Sequence, residues 1–324
     1  GNKKTIILDY HRVLDIKADF PFDENSVSAS VGNFRKQSEY LSKKYNVISL
    51  EEFVEHCKKN KNPPKNSAVI TFDDGYIDNY LFAYPILKKY NIPATIFLTA
   101  NYISTNKIFW WDKIAYAIKK TEVKNIDIKN FGKYKLEKKQ QKADSLRDIM
   151  FKLKKIDETE KNSFINLIIQ KTKLKIPKDI KRNTLSWDEI TEMSKNNISF
   201  GSHTLNHPIL TKIPISEAEN EIKESKRIIE EKIKNKIKFF CYPNGEFSDF
   251  NNKIKKILRE NGFECSVLYI PGFNSKNSDV FELKRVFVRY NDDIILFKNK
   301  LAGVDIVLFS LYRSLKRIAR RNKT

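Results

Sequence analysis

Two apolar rhythms alternate along most of the chain. Short runs rich in β-branched and aromatic residues stand at 5–11, 68–72, 92–99, 199–203, 238–242, 265–270 and 283–288, about seven strand candidates. Between them, apolar positions fall three and four apart. Phe34, Tyr40, Leu41 and Tyr45 mark one helix, a short strand is expected at 47–50, and Ser49 with Glu52 has capping-box spacing for the next helix. His56 falls in that helix among Glu55, Lys58 and Lys59 and reads as a surface residue. Residues 80–90 read as a helix containing Pro85. Ser186 with Glu189 opens another, and 216–234, where acids and bases alternate, reads as a long surface helix. Strand, helix and strand in succession form βαβ units, which join parallel neighbours in a sheet or barrel.

Two segments break this rhythm. From about 121 to 183 the chain turns lysine-rich, and 138–155 and 157–173 are glycine-free with helical spacing, as at Leu146, Ile149, Met150 and Leu153. A helical insertion there either covers a site and binds the remote part of a substrate or is a solvated decoration. The second segment follows residue 292. Ile294, Phe297, Leu301, Val304, Leu308, Leu311, Leu315 and Ile318 form one stripe of an amphipathic helix, weakened at Gly303, that ends in Arg313, Lys316, Arg317, Arg320, Arg321 and Lys323. Such a helix suits an anionic membrane surface, or packs on the domain or on a partner. The expected organisation is one catalytic domain over 1–292 carrying the insertion, and a basic amphipathic tail over 293–324.

Composition changes this picture little. At 324 residues the chain can bury a full core, and 61 Lys and Arg against 40 Asp and Glu give a net charge of +21. Most of that surplus is lysine scattered among asparagine and isoleucine, as codon bias produces. No zinc-finger, RNA-recognition or helix-turn-helix pattern accompanies it, so no nucleic-acid partner is expected. Cys57, Cys241 and Cys265 lack metal spacing and cannot all pair within one chain. The chain opens Gly1-Asn2-Lys3-Lys4 directly before a strand, without a signal-peptide pattern, and no run matches a membrane span. The expected location is cytoplasmic or peripheral on a membrane. An extracytoplasmic setting competes with it if an upstream segment has been removed.

Candidate chemistry sits at strand ends. The run 68–72 stops at Asp73-Asp74-Gly75, where Gly75 permits the turn that lets adjacent carboxylates share one site, although Asp-Asp-Gly is also a common turn. A later strand runs into His203 and His207, two of the four histidines. One carboxylate and two imidazoles leave a coordination position open for water, the pattern of a catalytic zinc. Gly201 and Pro208 around the histidines argue for a loop rather than a helix. Asp9 and His11, at the end of the first strand run, share a face. Trp110 and Trp111, expected in a loop, either stack on sugar rings or fill a core.

Thr71-Phe72-Asp73-Asp74-Gly75-Tyr76 and His203-Thr204-Leu205-Asn206-His207-Pro208 resemble the first and second motifs of the polysaccharide deacetylases, the chitooligosaccharide deacetylase type of carbohydrate esterase. The similarity runs from about residue 6 to 288 and is nearest the poly-N-acetylglucosamine deacetylase-like branch. It implies an α/β fold, a distorted (β/α) barrel of about seven parallel strands, and a metal-dependent hydrolase that removes an N-acetyl group from an amino sugar of a polysaccharide or lipid-linked glycan. It implies that Asp74, His203 and His207 hold a divalent cation, in the first instance zinc, with Asp73 as base. Where many members have a late Leu-x-His, this chain has Leu283-Lys284-Arg285. In the poly-N-acetylglucosamine deacetylase-like branch a Tyr-His at an early strand end supplies the acid instead, so the resemblance of Tyr10-His11 to it makes His11 the acid, with Asp9 beside it. Tyr242-Pro243-Asn244-Gly245 is similar to the third motif, whose backbone N–H groups hold the oxyanion, here with Tyr242 and Asn244 at the substrate. That motif's arginine is missing, and Arg285 is the expected replacement in tethering Asp73. A catalytically inactive sugar-binding protein on the same fold is the competing reading, against which the retained Asp73 speaks.

Overall fold

The computed structural model describes residues 4–175 and 182–309. Seven parallel strands close a barrel: β1 (Thr5–Tyr10), β2 (Ser67–Phe72), β3 (Ala94–Leu98), β4 (Ile198–Ser202), β5 (Phe239–Cys241), β6 (Cys265–Pro271) and β7 (Leu283–Phe287). Neighbours in sequence are neighbours in space, and β1 closes the ring by pairing with β2 from Thr5↔Ser67 to Tyr10↔Phe72 and with β7 at Leu8↔Val286. The expected strand at 47–50 is only Asn46–Val47, on the edge of β2 below β3, because Ser49 caps the next helix by accepting from Glu52 N.

Side chains alternate inward and outward along each strand. Ile7, Val69, Phe97, Phe239, Cys265, Val267 and Leu283 fill the interior, against Leu50, Phe53 and Val54. Farther along the same strands, towards their C-terminal ends, Asp9, Thr71, Cys241 and Arg285 take the inward positions, so an apolar plug supports an ionic rim. Gly201 is required here: a Cβ would lie 2.6 Å from the ring of Phe97.

The helices α1 (Val31–Lys44), α2 (Leu50–Lys58), α3 (Tyr84–Lys89), α4 (Trp110–Lys120), α5 (Lys139–Leu153), α6 (Glu158–Lys171), α7 (Trp187–Ser194), α8 (Ile215–Ile233), α9 (Asn252–Glu260) and α10 (Ile294–Ala302) follow in order. Pro85 does not break its helix. A π-turn at Asn79–Ala83 precedes it and places it in the first turn of α3, where its missing N–H is harmless. The surface helix α8 is half core, burying Ala218, Ile222 and Ile229 as well as Glu221.

The insertion is not wholly helical. Asn125–Ile128 and Gly132–Lys135 form an antiparallel hairpin before α5. The satellite core of Ile126, Ile128, Tyr134, Leu146, Ile149, Leu153, Ile165 and Ile168 also takes in Ile114 and Ile118 of α4. The packed unit thus begins near Trp110, before the composition changes. The tail differs too. Gly303, at φ 94°, ends α10 and the chain turns before residues 304–309 continue as helix, so the stripe is not one rod. Phe297 and Leu301 are buried in the main core. The basic residues 313–323 lie outside the described residues. Among those described, no helix is long and apolar enough to cross a membrane.

Candidate active site

Arg285, 1% exposed, organises the rim. Its guanidinium donates Nη1 to Asp73 Oδ1 at 2.8 Å and Nη2 to Asp73 Oδ2 at 2.7 Å, while Nε holds Leu268 O at 2.8 Å. Asp9 Oδ1 lies 3.0 Å from Nη1 but off the hydrogen-bond direction. One cation thus serves two buried carboxylates unequally. Burial alone would raise Asp73, yet the bidentate pair outweighs it and holds the carboxylate well below its usual range. Asp9 is raised well above the ordinary value, because burial exceeds what the remaining share of Arg285 offsets, and the charge of Asp73 adds to it.

Asp73 and Asp74 reach one rim because the backbone turns at both Asp74 (φ 72°) and Gly75 (φ 73°). Asp73 N still donates to Tyr10 O at 2.9 Å, so the ladder ends there and Asp74 leaves it. Asp74 Oδ1 stands 3.6 Å from His203 Nε2 and 3.6 Å from His207 Nε2. It is buried with no hydrogen-bond partner. His203 Nδ1 is 2.8 Å from Cys241 O and donates to it, which leaves the Nε2 lone pair pointing at the group. Burial raises Asp74 well above its usual range, with Asp73 adding, and pushes His207 well below its own. An orphaned carboxylate oxygen and two imidazole lone pairs converging on one point fit a divalent cation, whose charge would reverse these penalties.

His11 sits just beyond β1, its Nδ1 3.6 Å from Asp9 Oδ1 and its Nε2 4.0 Å from Asp73 Oδ2. Burial lowers it to about 4, only partly offset by Asp73, and its ring is 27% exposed to the cleft. His56 is half-buried, away from this group, with Glu52 at 3.9 Å.

Trp110 and Trp111 are not in a loop: they open α4, whose N-cap Phe109 makes no side-chain cap. Trp111 stands edge-on to His207 at 4.7 Å, stacks on Phe109 at 4.6 Å, and donates its indole N–H to Tyr76 Oη at 2.8 Å. Trp110 packs on the satellite core with Lys161 Nζ 5.1 Å from its ring. Both line the cleft. The Tyr242 N–H is not a free donor, since it reaches Val267 O at 3.3 Å, and the ring is buried with its hydroxyl on Phe281 O at 3.2 Å. Asn244, at φ 61°, lines the cleft and donates to Asp249.

Three partners gave no signal in the sequence. Glu221 of α8 accepts from Leu205 N and Asn206 N at 2.8 and 2.9 Å and from Asn206 Nδ2 at 2.7 Å, pinning the loop between the two histidines. The Cys241 thiol lies 3.3 Å from Asp73 Oδ2. Beneath Trp111, Tyr76 Oη donates to Asp112 Oδ2 at 3.1 Å, Asn183 joins Asp112 to Arg12, and Arg12 pairs with Asp78 at 2.8 Å. All three depend on contacts between distant segments.

The profile of the polysaccharide deacetylase family matches residues 60–266. YxkH of Bacillus subtilis (strain 168), assigned by name to the polysaccharide deacetylases, is 23% identical over 244 residues, 75% of this chain and 59% of that protein. The poly-β-1,6-N-acetyl-D-glucosamine N-deacetylase of Staphylococcus aureus (strain MSSA476) is 36% identical over 121 residues, 34% of this chain and 41% of that protein. The alignments thus span about half the length of these relatives. Among solved structures, Streptococcus pyogenes deacetylase PplD in complex with acetate superposes with a TM-score of 0.64 at 19% identity, over 93% of this chain and 99% of that one. IcaB from Ammonifex degensii gives 0.58 at 19% identity, over 89% and 92%. At these identities the superpositions speak for the fold alone. The family profile covers well over half of the chain, including both aspartates and both histidines of the rim, and the chain belongs to the polysaccharide deacetylase family.

Proposed function

We propose that this chain is a metal-dependent N-deacetylase that hydrolyses the acetamide of an amino sugar within a glycan. The observation that carries the reading is the orphaned Asp74 Oδ1, converged on by two imidazoles, beside an Asp73 that Arg285 keeps anionic. The similarity to the Staphylococcus aureus enzyme supports N-acetylglucosamine as the sugar.

A divalent cation held by Asp74, His203 and His207, in the first instance zinc on this donor set, would polarise the acetamide carbonyl and acidify a water. The chain supplies the proton traffic. Asp73, aimed by two bonds to Arg285, takes the proton from the attacking water. His11 is neutral at pH 7 in the free protein, so the proton it hands to the leaving amine is acquired during turnover, with Asp73 Oδ2 4.0 Å away as the source. Trp111 offers the sugar or the acetyl methyl an apolar flank next to His207. For the Tyr242 N–H to meet an oxyanion, its 3.3 Å bond to Val267 must be shared.

The test is acetate release from N-acetylglucosamine oligomers. Release should vanish with a chelator and return with zinc. Undiminished release after chelation would remove the proposal. We also assign the C-terminal segment to an anionic membrane surface, where a polymer or lipid-linked acceptor would be met. Ile295, Leu296, Val304, Val307 and Leu308 are exposed, and six basic residues follow in the sequence. Flotation with anionic liposomes should fail for a chain ending at Phe309. Equal flotation would exclude a role for the six basic residues.

A further inference from the structure

The cleft above the rim has a volume of about 1410 Å³, larger than the roughly 300–1,000 Å³ that encloses one small ligand. One sugar ring and its acetamide leave much of it to be filled. What lines the remainder is uneven in charge from one segment to the next: residues 18–28 contribute Asp19, Asp23 and Glu24, the last paired with Lys119 at 2.8 Å. The insertion contributes five cations, Lys139, Lys142, Arg147, Lys154 and Lys161, against one acid, Glu137.

Glu137 already has Lys124 at 3.5 Å, Arg147 has Asp144 at 3.2 Å and Lys161 has Glu158 at 2.6 Å. Lys142 bonds only carbonyls, those of Lys119 and Thr121. Among the described residues, no carboxylate lies within 4.0 Å of the ammonium groups of Lys139, Lys142 or Lys154. Lys154 lines the same cleft as His11, His207 and Asp23. The unpaired cations therefore line the cleft that holds the reacting centre.

A neutral glycan would leave these ammonium groups to water. A phosphate or carboxylate on the same glycan would give them charge-assisted bonds in a cleft whose walls reduce screening. Scattered lysine from codon bias explains a high net charge. It does not by itself direct the ammonium groups of Lys139, Lys142 and Lys154 to one cleft wall without a carboxylate partner.

We propose that the insertion wall is an anion subsite, and that the acceptor is an N-acetylated glycan carrying phosphate or carboxylate groups, held by Lys139, Lys142 and Lys154 while its acetamide reaches the rim. This rests on the deacetylase reading only for the identity of the bond that is cut.

The test uses the full zinc-loaded chain and three oligomers of N-acetylglucosamine: neutral, phosphorylated on one ring, and carboxylated on one ring. Binding is measured by calorimetry with Asp73→Asn, and acetate release with the wild type. At about 50 mM salt at least one anionic oligomer should bind roughly tenfold more tightly than the neutral one, and the gap should shrink to about threefold or less near 0.5 M salt. The double variant Lys139→Glu, Lys154→Glu, at two exposed positions, should abolish the gap. Equal binding of all three oligomers, or a gap that survives the double variant, overturns the subsite. Equal binding with acetate release leaves the deacetylase standing without it. A salt-sensitive gap without acetate release from any oligomer would keep the subsite and refute the deacetylase.

Discussion

At the barrel rim, charges are buried and share partners, whereas on the insertion they are exposed and several have none. Arg285 and Asp73 are 1% and 3% exposed, and their geometry is fixed because neither tolerates loss of the other. Lys139 and Lys154 stand in solvent at the cleft wall and can be changed without unfolding anything. The rim depends on desolvation and the wall on screening, so substitutions in the two regions should differ in kind.

The largest effect should come from Arg285→Met, which strands two buried carboxylates. Unfolding should become easier by about 3–5 kcal/mol, with acetate release lost. A denaturant titration reads the first. A loss under about 1 kcal/mol would mean that the rim is not held by this pair. Next is Ile149→Ala, fully buried in the satellite core, at about 2–5 kcal/mol. The two cores are separate clusters, so hydrogen exchange should quicken in α4–α6 while barrel amides stay protected. Uniform quickening would join the two regions into one cooperative unit.

A smaller effect sharpens the role of the loop between the histidines. Glu221→Ala removes the acceptor for Leu205 N and Asn206 N and should weaken zinc about 10–100-fold by loosening His207. An unchanged zinc affinity would show that the loop holds itself. The smallest concerns pH. His11 is lowered from 6.5 to about 4 by burial, so its neutral form favours the fold. That contribution is complete above pH 6.5 and is lost as pH falls through about 4. In zinc-free protein, the stability difference between wild type and His11→Gln should therefore shrink from pH 7 to pH 4. A difference constant across that range would mean that the ring is not desolvated.

The legible part of this protein was local. Asp73-Asp74-Gly75 and His203 to His207 announce themselves because each candidate group lies within a few residues at a strand end, and barrel closure needs only repeated βαβ units. Arg285 was within reach because its strand is late in the chain and the family's arginine is missing from Phe240-Cys241-Tyr242. The hairpin at 125–135 was hidden because its inward residues, Ile126, Ile128 and Tyr134, are few and set among lysines. The start of α4 was hidden because Phe109 caps without a side-chain bond. The Arg12, Asp78 and Asp112 network was hidden for another reason: Arg12 and Asn183 touch at 2.9 Å across most of the chain, which no local pattern encodes.

The most direct measurement sets Asp73→Asn against Asp74→Asn, with zinc content and acetate release read on both. Asp73→Asn should retain one zinc per chain and release no acetate. Asp74→Asn should lose the zinc, since Asp74 Oδ1 is the carboxylate facing both imidazoles. Full zinc in Asp74→Asn, or wild-type acetate release by Asp73→Asn, would contradict the division of labour between the two aspartates.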